Sequence, residues 1–475
     1  MPLTRREFLR TAASVSALAA APRLGWAQAV ANATAAPAAP AVPPTPTTPV
    51  TPTVTPSAAT LALEKSVGPE QWKELLARLQ KTNANIQARG LRNFRGSTEK
   101  LLTGYPYNEF YDWDLYFENL YLSYYGVWPY CFSNLKLFLD RQQPDGYVNR
   151  SLIKQRDRQH FKPFLAQLVV LGCKQNKNDY AWVRGNYYDR LKKYLDKWMS
   201  YDADGNGLPV WNSADAAGTD NEWSRAGQLA SFTVEGVDLA SYLVREYDAM
   251  TVIAEQLGLP DDAKAFTASA KKLSQAINDV FWDEKDGFYY DRNEKTKARV
   301  MVKSGAAFMP LFSGSATPER AKRLVQEHLL NEKEFWLKYP VASYAKTEPD
   351  YYQGSHNECN WRGSTWAPFN YMIFEGLRRY GFNDVAKELA GRLFEMAIVK
   401  NPVLREYYNA ETGDGLGQTQ FWGFTALYYV LPLEYALNYN ASSLLEPNRA
   451  IIPQELGVAF GGGAAHSPAS QPGSK

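Results

Sequence analysis

The sequence predicts an all-α fold, an (α/α)6 barrel built as a six-hairpin toroid, on three observations. Apolar residues recur at helical spacing in about twelve runs between residues 62 and 455. Most of these runs come in pairs joined by short turns. Strand-like alternation is scarce, with hairpins expected only in short pieces such as 287–291. No self-similarity at a fixed period accompanies the pairs, which argues against a helical solenoid. Long polar and aromatic loops at 104–114, 143–160, 201–234, 336–366 and 401–420 separate the helices, and in a toroid they gather at one end.

Taken in order, the chain starts with Thr4-Arg5-Arg6-Glu7-Phe8-Leu9-Arg10, which resembles a twin-arginine export signal. An Ala-rich stretch follows and ends in the small-x-small pattern Ala27-Gln28-Ala29, so residues 1–29 read as a signal peptide and the mature protein as periplasmic or secreted. The apolar run is too short for a stable membrane anchor. Residues 30–60 are an Ala/Pro/Thr-rich linker. The folded domain is expected over 62–455, with a disordered tail at 460–475. Pro69 opens the first helix, where Trp72, Leu75, Leu76 and Leu79 share a face. Further starts are expected near Trp113, Pro129, Phe161, Asp179, Val237, Pro260, Ser304, Pro318, Thr365, Asn383 and Phe421.

Net charge is +2, and removing residues 1–29 takes away +3 to leave −1. No basic stripe remains for a polyanion, so nucleic acid is excluded as a partner. Cys131, Cys173 and Cys359 are far apart, fit no metal pair, and are expected as buried free thiols, one disulfide being compatible with export. Aromatic residues make up 14% of the chain, with 13 Trp and 30 Tyr, which suits both a large core and a cleft that stacks on sugar rings.

Two loops concentrate the chemistry. Gly218-Thr219-Asp220-Asn221-Glu222-Trp223-Ser224-Arg225 packs two carboxylates beside an indole and a guanidinium. An apolar wall raises a carboxyl pKa, as a general acid requires. Residues 405–417 bring Glu406, Glu411 and Asp414 into a second such loop. Glycoside hydrolysis needs an acid for the leaving oxygen and a second carboxylate as base or nucleophile. The wider candidate set is Asp112, Asp114, Asp220, Glu222, Glu235, Asp238, Glu358, Glu406, Glu411 and Asp414. Within it, Asp414 reads as a turn residue, and Glu235 and Asp238 as first-turn helix residues.

Several stretches together resemble the glycoside hydrolase family 63 and mannosylglycerate-hydrolase-like group, related to trehalases. They are Tyr111-Asp112-Trp113-Asp114, Gln143-Pro144-Asp145-Gly146-Tyr147, Gly218-Thr219-Asp220-Asn221, Trp361-Arg362-Gly363-Ser364-Thr365-Trp366 and Glu406-Tyr407-Tyr408-Asn409 with Thr412-Gly413 and Gly417. The segment 260–291, with Trp282-Asp283 and Gly287-Phe288-Tyr289, shares the look of the group. The resemblance implies an inverting α-glycosidase acting on a small or terminal α-glucoside or α-mannoside, with the long loops as its active-site face. It implies Asp220 as general acid and Glu406 as general base. It places Trp113 and Asp114 on the sugar, and Trp361 and Arg362 in the wall of the same subsite. Tyr111, Gln143 and Trp366 fall in the matching stretches, and Trp223 and Arg225 in the central loop; all five are expected as substrate contacts. The chain departs from the family after Asn221, where Glu222-Trp223-Ser224-Arg225 replaces the usual Ser-Pro-Arg, which keeps Glu222 as a rival acid.

Two other readings stand beside this one: a sugar epimerase on the same toroid, for which only His160 and His356 lie in the loops, and a non-catalytic glycan-binding protein. No organic cofactor is expected, and calcium at 202–207 is the one metal left open. Asp202-Ala203-Asp204-Gly205-Asn206-Gly207 copies the first half of a calcium loop, but its twelfth position is Ser213 rather than a bidentate Glu. The sugar, linkage, aglycone and oligomeric state are not encoded legibly.

Overall fold

The computed structural model describes residues 69–94, 100–103, 109–154, 159–227 and 233–437. The expected signal peptide, linker and C-terminal tail, and residues 104–108 of the first long loop, lie outside these described residues. Among them no helix is long and apolar enough to cross a membrane.

Twelve helical segments carry the architecture: α1 (Pro69–Asn85), α2 (Asp112–Ser123), α3 (Pro129–Leu139), α4 (Leu165–Gln175), α5 (Asn186–Met199) and α6 (Val237–Gln256) in the first half. They continue as α7 (Pro260–Ala276), α8 (Met309–Ser313), α9 (Pro318–Arg323), α10 (Ala367–Arg379), α11 (Asn383–Phe394) and α12 (Leu427–Leu437). The even-numbered helices touch one another in a closed order, α2–α4–α6–α8–α10–α12 and back to α2. Their sequences suit that place. Every residue of α2 is buried, as are residues 165–174 of α4 and 367–377 of α10. A helix covered on all sides cannot afford a polar stripe. α5 shows the opposite pattern, burying Tyr188, Leu191, Tyr194, Leu195 and Trp198 on one face. α7 does the same with Ala263, Phe266, Ala270 and Leu273. Where α3 crosses α4, a Cβ on Gly172 would stand 2.6 Å from the ring of Phe132, so only glycine fits the approach.

The expected starts at Pro129, Val237, Pro260, Pro318 and Asn383 coincide with helix starts. Those near Phe161 and Asp179 are early. Pro163 disfavours helical geometry at Lys162, so α4 waits for Leu165. Asp179 turns its own carboxylate onto the Ala181 amide (3.0 Å), making a turn before α5. Phe164 offers α4 no capping side chain. Glu246 of α6 takes that role, accepting the amides of Ala166 (2.6 Å) and Gln167 (3.2 Å). Burial pushes the Glu246 carboxyl up to about 7.

The all-α expectation understated the strands. β1 (Leu91–Asn93) pairs with β2 (Lys100–Leu102). β3 (Val210–Trp211), β4 (Val234–Glu235), β7 (Asp291–Asn293) and β8 (Arg299–Val300) form one antiparallel sheet in the order β3-β4-β7-β8. The expected hairpin near 287–291 is present, as β5 (Trp282–Asp283) paired to β6 (Phe288–Tyr289). β9 (Arg405–Tyr408) and β10 (Gly415–Thr419) form a second hairpin in what reads as a loop. Strands of two to five residues carry too little alternation to be seen.

Replacing Glu246 by Ala leaves the first α4 amides buried without an acceptor, and should destabilise the fold by about 3 kcal/mol. Urea unfolding of the variant measures this, and Glu246→Gln should lose less because one acceptor remains.

Candidate active site

The site begins at the N-terminus of α2. Asp112 and Asp114 lie in its first turn, where the helix dipole favours negative charge. Asp112 is fully enclosed. It accepts the backbone amide of Lys162 (3.1 Å) and the Lys162 ammonium on both oxygens (3.1 and 3.0 Å), with an Arg150 nitrogen at 3.7 Å. The two arms of the 143–162 loop supply one cation each: the arm with Arg150 pairs Ser151 with Tyr111 and Asn149 with His160, the Asp112 amide donates to the Arg150 carbonyl (2.9 Å), and Lys162 follows on the returning arm. Arg150 lies over the ring of half-buried Tyr111 (5.4 Å) and reaches Asp215 (3.9 Å). Asp114 is left with no cation of its own at contact distance, and burial with the neighbouring Asp112 charge pushes its carboxyl up to about 7, against Lys162 and Arg150.

The central loop sits directly on this base. Ser213 caps the short helical turn Ala214–Ala217 through the Ala216 amide (3.1 Å), and Gly218 ends it in the left-handed conformation (φ 80°). A Cβ at Gly218 would stand 2.9 Å from the Lys162 ammonium and 3.0 Å from Trp113, so the loop can close down only with glycine there. Asp220 follows two residues later. Solvent reaches its side chain, yet protein surrounds it closely enough for desolvation to raise its pKa, the signature of a carboxyl on the floor of a cleft. Arg150 and Lys162 oppose that rise, Asp215 adds to it, and the Cys359 thiol hydrogen-bonds to the carboxyl.

Glu406 arrives on β9. The hairpin register slips between Leu416 and Thr419, at Gly417 (φ 64°). A Cβ there would lie 2.5 Å from the Glu406 carboxylate, which instead accepts the Gln418 amide (3.0 Å). Cys359 has both Asp220 and Glu406 as charged neighbours, which places the two acids in one region of the molecule. An aromatic column backs them: Trp113 against Trp361 (5.7 Å between centroids), Trp361 stacked on Trp366 (3.8 Å) and Trp366 on Tyr407 (4.7 Å). Asn221 ties the acid's loop to this column, accepting the Trp361 amide (2.8 Å) and donating to Asn360 (3.0 Å).

The structure thus brings together Tyr111, Trp113, Asp114, Asp220, Trp361 and Glu406, with Arg362 half-buried at the edge, its guanidinium over Tyr352 (5.7 Å). Four expectations need correction. Arg225 is 1% exposed and paired to Glu222 (3.1 Å), Asp238 (2.7 Å) and Asp291 (2.5 Å), so it pins the loop from beneath and has no face for a substrate. Glu222 is consumed in that cluster, fully buried with its carboxyl pushed up to about 8, which removes it as a rival acid. Gln143 is exposed in a turn whose Gly146 lies against the Lys193 carbonyl of α5 and whose Asp145 pairs with Lys197 (2.8 Å), on the outer-helix side of its loop. Trp366 is sandwiched in the column at 1% exposure and stiffens the wall rather than offering a face. Trp223, in contrast, is 53% exposed three residues beyond Asp220.

His160 does not line the cleft either. It packs among Tyr147, Tyr194 and Trp198, its Nδ1 accepts the Val148 amide while its Nε2 donates to the Tyr194 carbonyl, and burial lowers it to about 4. A neutral core histidine cannot serve the epimerase reading. The acidic turn at 202–207 brings Asp202, Asp204 and Glu294 oxygens within 4.8 Å of one another. Asp202 is filled by the amides of Gly205, Asn206 and Gly207, and Asp204 pairs with Arg292 (3.0 Å) and Lys297. That donor set is satisfied by the protein and fits a calcium ion poorly. Lys162, Arg150 and Cys359 were missed. The signal for the first two was a cation in a loop already marked as polar and long; for Cys359 no local signal exists.

A solvent-reached acid, a second carboxylate near the same thiol and a tryptophan column are the parts a glycoside hydrolase needs, and similarity to known proteins points the same way. Residues 107–422 match the family described as mannosylglycerate hydrolase MGH1-like glycoside hydrolase domain. The mannosylglycerate hydrolase of Thermus thermophilus is 34% identical over 152 residues, 31% of this chain and 34% of that protein. A probable trehalase of Saccharomyces cerevisiae is 24% identical over 443 residues, covering 73% of this chain and 56% of its own length. The chain thus spans about a third to a half of these curated relatives. The crystal structure of a family 63 mannosylglycerate hydrolase from Thermus thermophilus in complex with glucose superposes with a TM-score of 0.59 at 20% identity, over 76% of this chain and 99% of that one. The chain belongs to the mannosylglycerate hydrolase MGH1-like glycoside hydrolase domain family.

Replacing Arg225 by Ala leaves three buried carboxylates without their cation and should cost about 3–5 kcal/mol. Thermal unfolding measures the loss. A drop in activity without a drop in stability would instead mean that Arg225 acts on substrate.

Proposed function

We propose that this chain is an inverting α-glycosidase that hydrolyses a small or terminal α-glucoside or α-mannoside on an (α/α)6 barrel. The observation that carries the reading is that Asp220 and Glu406, from loops far apart in sequence, both lie near enough to Cys359 to act on its thiol. Asp220 is the general acid: desolvation holds its proton to higher pH than an ordinary aspartate, so that it can be delivered to the leaving oxygen. Glu406 is the general base, held by the Gln418 amide and aimed by the bulge at Gly417, and takes a proton from the attacking water. Inversion wants the two carboxyl groups about 6.5–9.5 Å apart, with water between base and sugar.

The closed order of the even-numbered helices, alternating in sequence with the odd-numbered ones, supports the barrel. Asp114 faces the same space and suits a sugar hydroxyl. Trp113 and Trp361, at 2% exposure each, stiffen the wall behind the subsite as Trp366 does, with Arg362 at its edge, and exposed Trp223 stands on the leaving-group side. Glucose in the related crystal structure supports a hexose in the inner subsite. Export by the twin-arginine route, with the enzyme acting outside the cytoplasm, belongs to the same proposal.

Time-resolved proton NMR with α-glucosides, α-mannosides, glycerate conjugates and trehalose should show the β-anomer first. Asp220→Asn and Glu406→Gln should each lower kcat by about a thousandfold or more while the fold is kept. An α-anomer appearing first, or an Asp220→Asn enzyme turning over near the native rate, would refute the assignment. Saturable sugar binding without turnover would favour a glycan-binding protein.

A further inference from the structure

Lys162 occupies a place where a lysine is costly. Its side chain is 0% exposed, and its ammonium has one carboxylate partner, Asp112. The same ammonium lies over the Trp113 ring (4.9 Å) and against the backbone of Gly218, where an added Cβ would be 2.9 Å away. It therefore touches both segments that deliver acids to the cleft, two residues before Asp114 on one and two residues before Asp220 on the other. The lysine cannot swing away: Pro163 fixes the chain after it, and the Tyr194 hydroxyl holds its carbonyl (2.6 Å). A structural clamp on Asp112 alone would not need to reach the central loop, because Arg150 already neutralises Asp112 from the other side.

We propose that Lys162 is a positioning residue for the reaction, its ammonium set beneath the loop where its charge bears on the acidity of Asp220. The inference rests on Asp220 being the general acid. The charged groups facing this space are Asp112 and Asp114 from α2, Arg150 from the 143–162 loop, Asp215 and Asp220 from the central loop, and the Cys359 thiol. Burial, Asp215 and the other carboxylates hold the Asp220 proton; Arg150 and Lys162 loosen it. A general acid works best when its proton is held to the operating pH and no further. Arg150 bears on Asp220 more strongly and is tied to Asp112 and Asp215, whereas Lys162, also tied to Asp112, is the cation whose ammonium packs directly under the Asp220 turn.

The sign follows. Removing the cation raises the pKa of Asp220, and activity that needs protonated Asp220 is lost as pH rises through that value. The alkaline limb of kcat/KM should therefore move upward by about one pH unit in Lys162→Gln and stay in place in Lys162→Arg, which keeps the charge. A Lys162→Gln enzyme with an unmoved limb overturns the inference whatever its rate, and so does a Lys162→Arg enzyme shifted as far as Lys162→Gln. Should Lys162→Gln fail to fold, the double variant Asp112→Asn/Lys162→Gln leaves no lone buried charge. Its limb should move upward by less, since the ammonium and not the Asp112 carboxylate abuts Gly218; an unmoved limb there also overturns the inference. Asp220→Asn is run alongside. Near-native turnover in that variant removes the acid assignment together with this inference. Loss of turnover in Asp220→Asn with an unmoved Lys162→Gln limb removes the inference alone.

Discussion

Asp112 is closed off from solvent at the start of α2, and the polar end of the molecule is assembled around its charge. A carboxylate in that position survives only if cations and amides come to it. The 143–162 loop brings all three: the Lys162 amide, the Lys162 ammonium and the Arg150 guanidinium. Once they are docked, the rest has little freedom. Arg150 reaches on to Asp215 and so draws in the turn before the central loop. Lys162 presents its ammonium to Gly218, which sets the height at which Asp220 enters the cleft. Removing one member of such a cluster exposes the others to the interior without compensation, so its parts must be conserved together or replaced together.

A second cluster works from the other side of the same loop. Arg225 gathers Glu222, Asp238 and Asp291 from the loop, from α6 and from β7. The two clusters divide the acids. Asp112, Glu222, Asp238 and Asp291 are each met by a cation in one of the two clusters, and Asp220 opens to solvent instead. Between them the aromatic column from Trp113 to Tyr407 joins α2, the tryptophan-arginine-glycine segment and β9 in one rigid wall. Stacked indoles lose little entropy on ordering and exclude water, which keeps the electrostatics of the cleft strong.

This division explains what could be read from the chain beforehand. Helix starts at Pro129, Pro260 and Pro318 were legible because proline at the first turn is a local signal. The two acid loops were legible because residue types cluster in them. What a residue does within a loop was not. Glu222 and Asp220 are two positions apart, yet one is spent on Arg225 and the other opens to solvent, and the difference lies in Asp238 and Asp291, far along the chain. Arg225 looked like a sugar contact for the same reason. Gln143 belonged to a matching stretch, but its turn answers to Lys193 and Lys197 on α5. Trp366 and Trp361 are five residues apart in one motif, and their mutual stacking covers the face that a ligand would need.

The two proposed catalytic carboxylates are held in different ways, and the difference matches their tasks. Glu406 stands on a strand whose partner bulges at Gly417 to make room for it, with one oxygen bound to a backbone amide. A base that must orient one water molecule gains from such a fixed position. Asp220 stands on a turn after a left-handed glycine, reached by solvent and bonded to a soft thiol donor rather than to an amide. A sulfhydryl is a weak donor, so it holds the carboxyl in place without stabilising its charge as strongly as an amide would. An acid that must retain a proton and then release it toward a departing oxygen is better served by that weaker hold. The asymmetry between a clamped base and a lightly held acid is therefore built into the backbone that carries each of them, and it favours Asp220 as donor and Glu406 as acceptor rather than the reverse.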